Sequence, residues 1–339
     1  MSGDHLSNEV SVGAELTPTG VTAKAKSRAI SALDRLVGAG IDRLTAPLES
    51  STAKIRAQGE ADRKLIAALS EKKINLLGQD QDFSAAAFAN DIKTSVRRQV
   101  NKDGVAAAAL QDLRDQPPNS ESTASGPETL DPDFLNRFER YAEDATSDQL
   151  RERWGRVLAT EIRKPGTFSM KVMRAVDEID APTAALFESL CANRFDKYLI
   201  GCLTGEIKTI EKIKLVSAGL IAEPGLTGHN LRFREVRLGV EEMWCLSDSN
   251  GGFGFPKNTT IPSYPNQFEA PLVTQDNGVP AVPIYILTDV GVAISTILPD
   301  TSSDVLRRYC ETLSKFCQAP IYEFQAIPGA LLPIRVHKV

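Results

Sequence analysis

The sequence predicts a mainly α fold: an N-terminal helical arm or bundle, a central bundle of short helices, and a C-terminal mixed α/β part with room for a winged-helix-like element. Three observations predict it. Between residues 21 and 115, alanine, lysine, arginine, glutamate and leucine dominate, and apolar residues recur every three or four positions, the spacing of one helix face. Residues 116–130 concentrate proline, serine, threonine and glycine, the composition of a linker. After residue 200, β-branched and aromatic runs alternate with glycine- and proline-rich stretches, as short strands and their connections do.

Residues 1–20 are polar and read as a flexible tail. Ile30, Leu33, Val37, Ile41 and Leu44 form a first helical stripe, interrupted by Pro47. A second helix is expected over 51–77, polar between Arg56 and Lys64, a pattern suited to pairing with a second copy. Two further stretches, Phe83–Val100 and Val105–Leu113, complete a region 21–115 that we separate from a core domain at 131–200 by the linker 116–130. In that core domain, Phe134, Leu135, Phe138 and Tyr141 mark one helix. Thr146 followed three positions later by Gln149 fits a capping box. The helix it opens carries Leu150, Trp154, Val157, Leu158 and Ile162, and Lys164-Pro165-Gly166 stops it. Thr167 or Ser169 can cap the next helix, and Pro182 suits the first turn of the one after.

Residues 201–339 form the mixed part. A helix over 206–218, with Ile207, Ile210 and Ile213 as its apolar members, ends at Gly219, a left-handed C-cap position. Strands are expected at Leu220-Ile221, Phe233–Val240, Met243–Leu246, Ile284–Leu287, Ile321–Gln325 and Ile334–His337, with long loops across Ser247–Pro283. Thr288-Asp289 opens a further helix, and Asp304–Phe316 is another.

Composition narrows the function classes. The chain has 339 residues, 24% charged, with a net charge of −5, no case for wrapping nucleic acid along its whole length. Its five cysteines include no CxxC, and its three histidines lie far apart, so no metal or cofactor is expected and the thiols read as reduced, packed side chains. The first residues lack a basic start with an apolar core, and no apolar run reaches the roughly 20 residues of a membrane span; a cytoplasmic location is the expectation. HExxH, GxSxG and a cysteine near a serviceable histidine are all missing, so the expectation is a protein that is not an enzyme. Gly251-Gly252-Phe253-Gly254-Phe255-Pro256 lacks the lysine and the strand-to-helix context of a phosphate loop and reads as a mobile surface loop.

The run Ser147–Glu161, with Trp154, Leu158, Ala159 and Glu161, followed by Pro165-Gly166-Thr167-Phe168-Ser169 and Leu186-Phe187-Glu188-Ser189-Leu190-Cys191, resembles a bacterial family catalogued as domain of unknown function 2806. A looser likeness joins Leu215–Ile221 and Ile286–Gly291, which are similar to the ends of abortive-infection alpha proteins, helical bacterial proteins tied to phage exclusion. The stretch between those two ends is far longer than a short wing needs. The resemblance implies a bacterial accessory protein in phage defence and assigns no catalytic residue.

The residues singled out are therefore structural first. Trp154 and Phe168 read as core, Pro165, Gly166 and Ser169 as a helix stop and restart. Glu161 falls on the apolar stripe, and a buried carboxylate needs a partner, for which Arg137 or Arg174 is expected. Lys208, Lys212 and Lys214 can face phosphate if their helix belongs to a winged-helix element, although Glu206 and Glu211 dilute the charge. Residues 21–115 hold sixteen Lys/Arg against twelve Asp/Glu, and self-association through these helices, with binding of a protein partner elsewhere, is the favoured use. A DNA-binding regulator is the alternative.

Overall fold

The computed structural model describes residues 23–37, 81–118, 126–225, 228–238, 240–247, 251–266, 269–275, 277–327 and 330–338. The expected helix over 51–77 lies outside them. The chain divides into two compact units, Met1–Met173 and Arg174–Val339. Among the described residues there are ten helices, and both β-sheets lie in the second unit.

In the first unit, α1 (Ala23–Val37) is followed by α2 (Gln81–Asp115), α3 (Pro132–Asp144) and α4 (Asp148–Arg163). The two stretches expected at 83–113 are one 35-residue helix, because Gly104 is accommodated inside α2 rather than breaking it. Packing explains why: a side chain at Gly104 would meet the aliphatic part of Arg151, so tertiary contact outweighs the propensity cost of roughly 1 kcal/mol for an internal glycine. Arg151 fixes this corner. It donates to Asn101 Oδ1 at 2.9 Å and to the Ala145 carbonyl at 3.1 Å, while the fully buried Asn101 donates to the Glu143 carbonyl at 2.7 Å. At the other end of α4, Arg163 donates to the carbonyls of Asp112 and Gln116 and pairs with Asp112 at 2.5 Å, so a cation sits at the C-terminus of α2, where it offsets the helix dipole.

α2 and α4 are thus tied at both ends, and between them they almost touch. A Cβ on Gly155 would stand 2.5 Å from Ala108 Cβ and 2.8 Å from the Ala109 nitrogen. The boundary expected at 116–130 is therefore not where the chain divides; the helices on either side of it pack together, and the division falls within the helix Met170–Glu178. Nor is α1 a free arm. Its Ala25, Ala29, Ala32, Leu33 and Leu36 are buried; of the described residues in the expected stripe only Leu33 is among them, Ile30 and Val37 being half-buried. The N-cap of α4 is Ser147, one residue later than expected, with Oγ accepting from the Leu150 amide at 3.2 Å.

α5 (Met170–Glu178) spans the division, with Ser169 Oγ accepting from the Val172 amide. In the second unit, α6 (Ala181–Cys191) starts at the N-cap Asp180 with Pro182 in its first turn. Then come β1 (Arg194–Phe195), β2 (Tyr198–Ile200), α7 (Gly201–Thr204), α8 (Thr209–Ser217), β3 (His229–Arg232), β4 (Arg234–Leu238), β5 (Glu241–Ser247), β6 (Gly251–Pro256), β7 (Val273–Thr274), β8 (Pro280–Ile286), α9 (Asp289–Ser295), α10 (Ser302–Cys317), β9 (Ile321–Ile327) and β10 (Ala330–His337). One antiparallel sheet has the order β1-β2-β8-β3, with β7 also on β8; the other has the order β10-β9-β6-β5-β4. Both contribute to one core around α10: Ile200, Val282 and Ile284 from the first, Leu246, Phe253 and Phe255 from the second, Val305, Tyr309 and Leu313 from the helix.

The Gly251–Pro256 run is a correction. It is an inner strand with Gly252 to Phe255 all buried. Phe253 and Phe255 reach the core, where both rings pack edge-on against Phe233, and Phe253 also meets Tyr309 at 5.2 Å. The intervening glycines leave room for neighbouring strands: a Cβ on Gly254 would lie 2.7 Å from Cys245 Sγ and 3.2 Å from the Phe324 ring. Ile210 and Ile213 are a second correction. They lie on the surface of α8, 71% and 59% exposed, whereas Ile207 and Leu215 are buried.

The approach of α4 to α2 predicts that Gly155→Ala destabilises the protein by about 2 kcal/mol, the usual cost of overpacking a close contact. Urea denaturation checks it; an unchanged midpoint would show that the two helices have slack here.

Candidate functional site

Two places stand out as sites: the buried surroundings of Glu161 and the outer face of α8.

Glu161 ends the apolar stripe of α4 and is 3% exposed. Its partners are backbone N–H groups rather than Arg137 or Arg174. Oε1 accepts from the Gly166 amide at 2.5 Å and Oε2 from the Phe168 amide at 2.9 Å. Local geometry makes this possible. Lys164 ends α4, Pro165 prevents its continuation, and Gly166 adopts φ +86°, which turns successive amides inward. The turn therefore forms a small nest of donors around a carboxylate supplied by the preceding helix. Burial drives the Glu161 carboxyl above the ordinary glutamate range; the amides of Gly166, Phe168 and Thr167 pull it partly back, and Asp131 adds a further push upward.

Arg28, from α1, is fully buried nearby. Nη1 donates to the Pro127 carbonyl at 3.0 Å, while Nε and Nη2 have no hydrogen-bond partner among the described residues. Gly126, at φ +101°, lies against Arg28 and Pro165. Sequence reasoning missed Arg28, which stands more than 130 residues from Glu161; the only signal was an arginine inside an otherwise small and apolar stripe. Trp154 lies on the same helix as Glu161, stacked on Tyr141 at 4.6 Å and edge-on to Phe138 at 5.8 Å. Phe168 is buried, Pro165 half-buried, and Ser169 starts α5. Trp154, Glu161, Pro165, Gly166, Phe168 and Ser169 thus lie along one helix–turn–helix corner, with Trp154, Glu161 and Phe168 buried and Gly166 and Ser169 exposed.

The second site is built differently. Tyr285, on β8, accepts from the Ile207 amide at 3.3 Å and reaches the Gly205 carbonyl at 3.5 Å, which sets the N-terminal end of α8. Three residues on, Thr288 Oγ1 donates to the Gly219 carbonyl and accepts from the Gly291 amide, capping α9. Gly219, at φ +70°, closes the C-terminal end of α8, and Gly291 leaves space for the Leu220 carbonyl to lie against α9. One short length of chain, Tyr285–Thr288, thus grips both ends of α8.

The lysines of this helix are not equivalent. Lys208 and Lys214 are exposed. Lys212 pairs with Glu206 at 3.7 Å and is half-buried. Glu211 turns back to accept from the Lys208 amide at 3.3 Å, so its charge is engaged at the helix start. The outward face holds Thr209, Ile210, Ile213, Lys214 and Ser217, with no carboxylate.

Among the described residues no group of three or more histidine, cysteine or acidic side chains could hold a metal ion. Burial pushes the thiols of Cys191 and Cys202 up to about 12 and those of Cys245 and Cys317 up to about 11, away from nucleophilic use near neutral pH. No described helix is long and apolar enough to cross a membrane.

The Glu161 geometry makes two predictions. Because its carboxyl titrates higher in the folded than in the unfolded chain, its contribution to stability is full below the unfolded value and is lost as pH rises through the folded one. Urea midpoints should therefore show wild type losing stability relative to Glu161→Gln as pH rises above the ordinary glutamate range of about 4.3; a gap independent of pH would contradict it. Glu161→Ala, which orphans the Gly166 and Phe168 amides, should cost about 3 kcal/mol, measured in the same way.

A search of curated proteins and a search of solved structures each found no match. A protein-family comparison matches residues 90–196, from the middle of α2 through α3, α4, the Glu161 turn, α5 and α6 to the end of β1. Over this stretch, about a third of the chain, the sequence is similar to the family described as protein of unknown function DUF2806.

Proposed function

We propose that the second unit binds duplex nucleic acid through the outward face of α8, and that the chain is a non-enzymatic accessory protein that acts by this contact. The observation that carries the reading is the order of elements around α8. Helix α6, strands β1 and β2, helices α7 and α8 and strand β3 follow one another, and β8, which comes after an inserted stretch, lies between β2 and β3 in the sheet. Leu199 of β2 faces Tyr285 of β8, and Leu231 of β3 faces Val282. A short helix pair backed by a three-stranded antiparallel ribbon is the arrangement a winged-helix-like element uses to present its second helix to a major groove.

The long stretch that weakened this reading at the level of sequence has a structural account. Residues 233–279, between β3 and β8, supply β4, β5 and β6 of the second sheet, which β9 and β10 complete. The wing position thus carries an inserted sheet rather than a slack loop. Exposed Lys208 and Lys214, with the hydroxyls of Thr209 and Ser217, supply phosphate-binding groups at both ends of the helix. The likeness of Leu215–Ile221 and Ile286–Gly291 to abortive-infection alpha proteins supports placing the activity in phage defence. In this chain those residues are the Thr288–Gly219–Gly291 lock that fixes α8.

Fluorescence anisotropy of the full chain with a mixed-sequence DNA duplex tests the proposal. Binding should weaken as salt rises. Lys208→Ala and Lys214→Ala should each reduce the slope of log affinity against log salt by about 0.9 for every phosphate that the lysine neutralises. No binding at low salt overturns the proposal.

A further inference from the structure

The most unusual feature of α8 is its pair of exposed isoleucines. At about 100° per residue, Thr209, Ile210, Ile213, Lys214 and Ser217 fall within an arc of about 140°. Leu215 lies nearly opposite and is buried. Ile210 and Ile213, at 71% and 59% exposure, sit in the middle of that arc and contribute almost nothing to the core of the second unit. Ile207 and Leu215 do the packing, and Tyr285 and Thr288 hold the ends. The two side chains occupy the first turn and a half of the helix, the part of a recognition helix that reaches base edges.

We infer that Ile210 and Ile213 read thymine methyl groups in the major groove of DNA, so that the duplex bound through α8 is A·T-bearing B-form DNA. This inference rests on the reading of α8 as a nucleic-acid-binding helix. Thymine alone among the bases offers an apolar group on the major-groove edge, and an aliphatic side chain is its natural complement. Isoleucine makes no hydrogen bond and so cannot read guanine, cytosine or the polar edge of adenine. The lysines favour an anionic occupant: Lys208 precedes and Lys214 follows the apolar pair along the helix, and no carboxylate of α8 falls in the arc. Glu206 is paired with Lys212, Asp180 at the start of α6 lies near Lys214, and the one acidic side chain within the helix, Glu211, is turned back onto the Lys208 amide. Charge at the edges with an apolar centre fits a groove whose walls are phosphate and whose floor carries methyl groups. Duplex RNA fits neither condition, since its major groove is too narrow for a helix and uracil lacks the methyl.

The test uses the full chain and two DNA duplexes of about two helical turns, one of alternating A·T pairs and one with deoxyuridine in place of every thymidine. The only chemical difference is the C5 methyl. Affinity should fall about fourfold for each methyl group that an isoleucine covers, the tenfold-per-1.4 kcal/mol equivalent of burying one methyl. Ile210→Ser and Ile213→Ser should bring the two duplexes to equal affinity and leave the salt slope unchanged. Their exposure means that the fold does not depend on either side chain, which circular dichroism checks. Salt-dependent binding with equal affinity for both duplexes overturns the thymine inference and leaves the nucleic-acid reading standing. Absence of binding to both overturns that reading, and this inference with it. Retention of the thymine preference in the serine variants overturns the assignment to Ile210 and Ile213.

Discussion

The buried carboxylate of Glu161 is the constraint on which the first unit depends. Placing a carboxylate in an apolar core is expensive unless its oxygens find donors. Here the donors come from the chain that follows directly: α4 ends, Pro165 and Gly166 reverse it, and the amides of Gly166 and Phe168 return to the side chain one turn back. The same contacts therefore satisfy a charge, shape a turn and set where α5 begins. Burial prevails over these donors in setting the proton affinity, and the carboxyl titrates high. Arg28 and Gly126 bring α1 and the segment before α3 to the same corner, so residues far apart in sequence share one small region.

Above that corner the helices approach as closely as their backbones allow. Gly155 removes the Cβ that would separate α4 from α2, while Arg151 and Arg163 bind the two helices at opposite ends. The second unit uses the same device with different partners. Gly291 admits the Leu220 carbonyl, Gly254 admits its neighbours from β5 and β9, and Thr288 seals the junction by bonding in both directions. In each unit a glycine marks the point of closest approach, and a side chain that hydrogen-bonds more than one partner holds it.

Much of this was legible in the sequence, and what was missed has physical reasons. Helix ends set by proline, glycine and capping hydroxyls were readable because those signals are local: Pro165, Asp180 with Pro182, Gly219 and Thr288 act where they stand. Glu161 was readable as a buried acid because its position on the stripe follows from helix period. Its partners were not, since a nest of amides has no sequence signature and an ion pair is the simpler guess. The isoleucines of α8 were misplaced because a nine-residue helix is too short for period alone to tell which apolar residues face inward. The glycine-rich strand β6 was misplaced because glycine signals a loop locally, whereas here the flanking strands require it. The boundary was misplaced because a proline-rich segment need not separate domains when the helices it joins pack on each other.

The central claim is that the Glu161 carboxylate holds the amides of Gly166 and Phe168 inside the structure. Native-state hydrogen exchange on these two amides addresses it directly, since an exposed turn opens almost freely while a buried bond opens with its surroundings. The account predicts that both amides exchange as slowly as the core amides of α4 and that both become fast when Glu161 is replaced by alanine. Exchange of either amide in the intact protein at the rate of an open surface loop would contradict it.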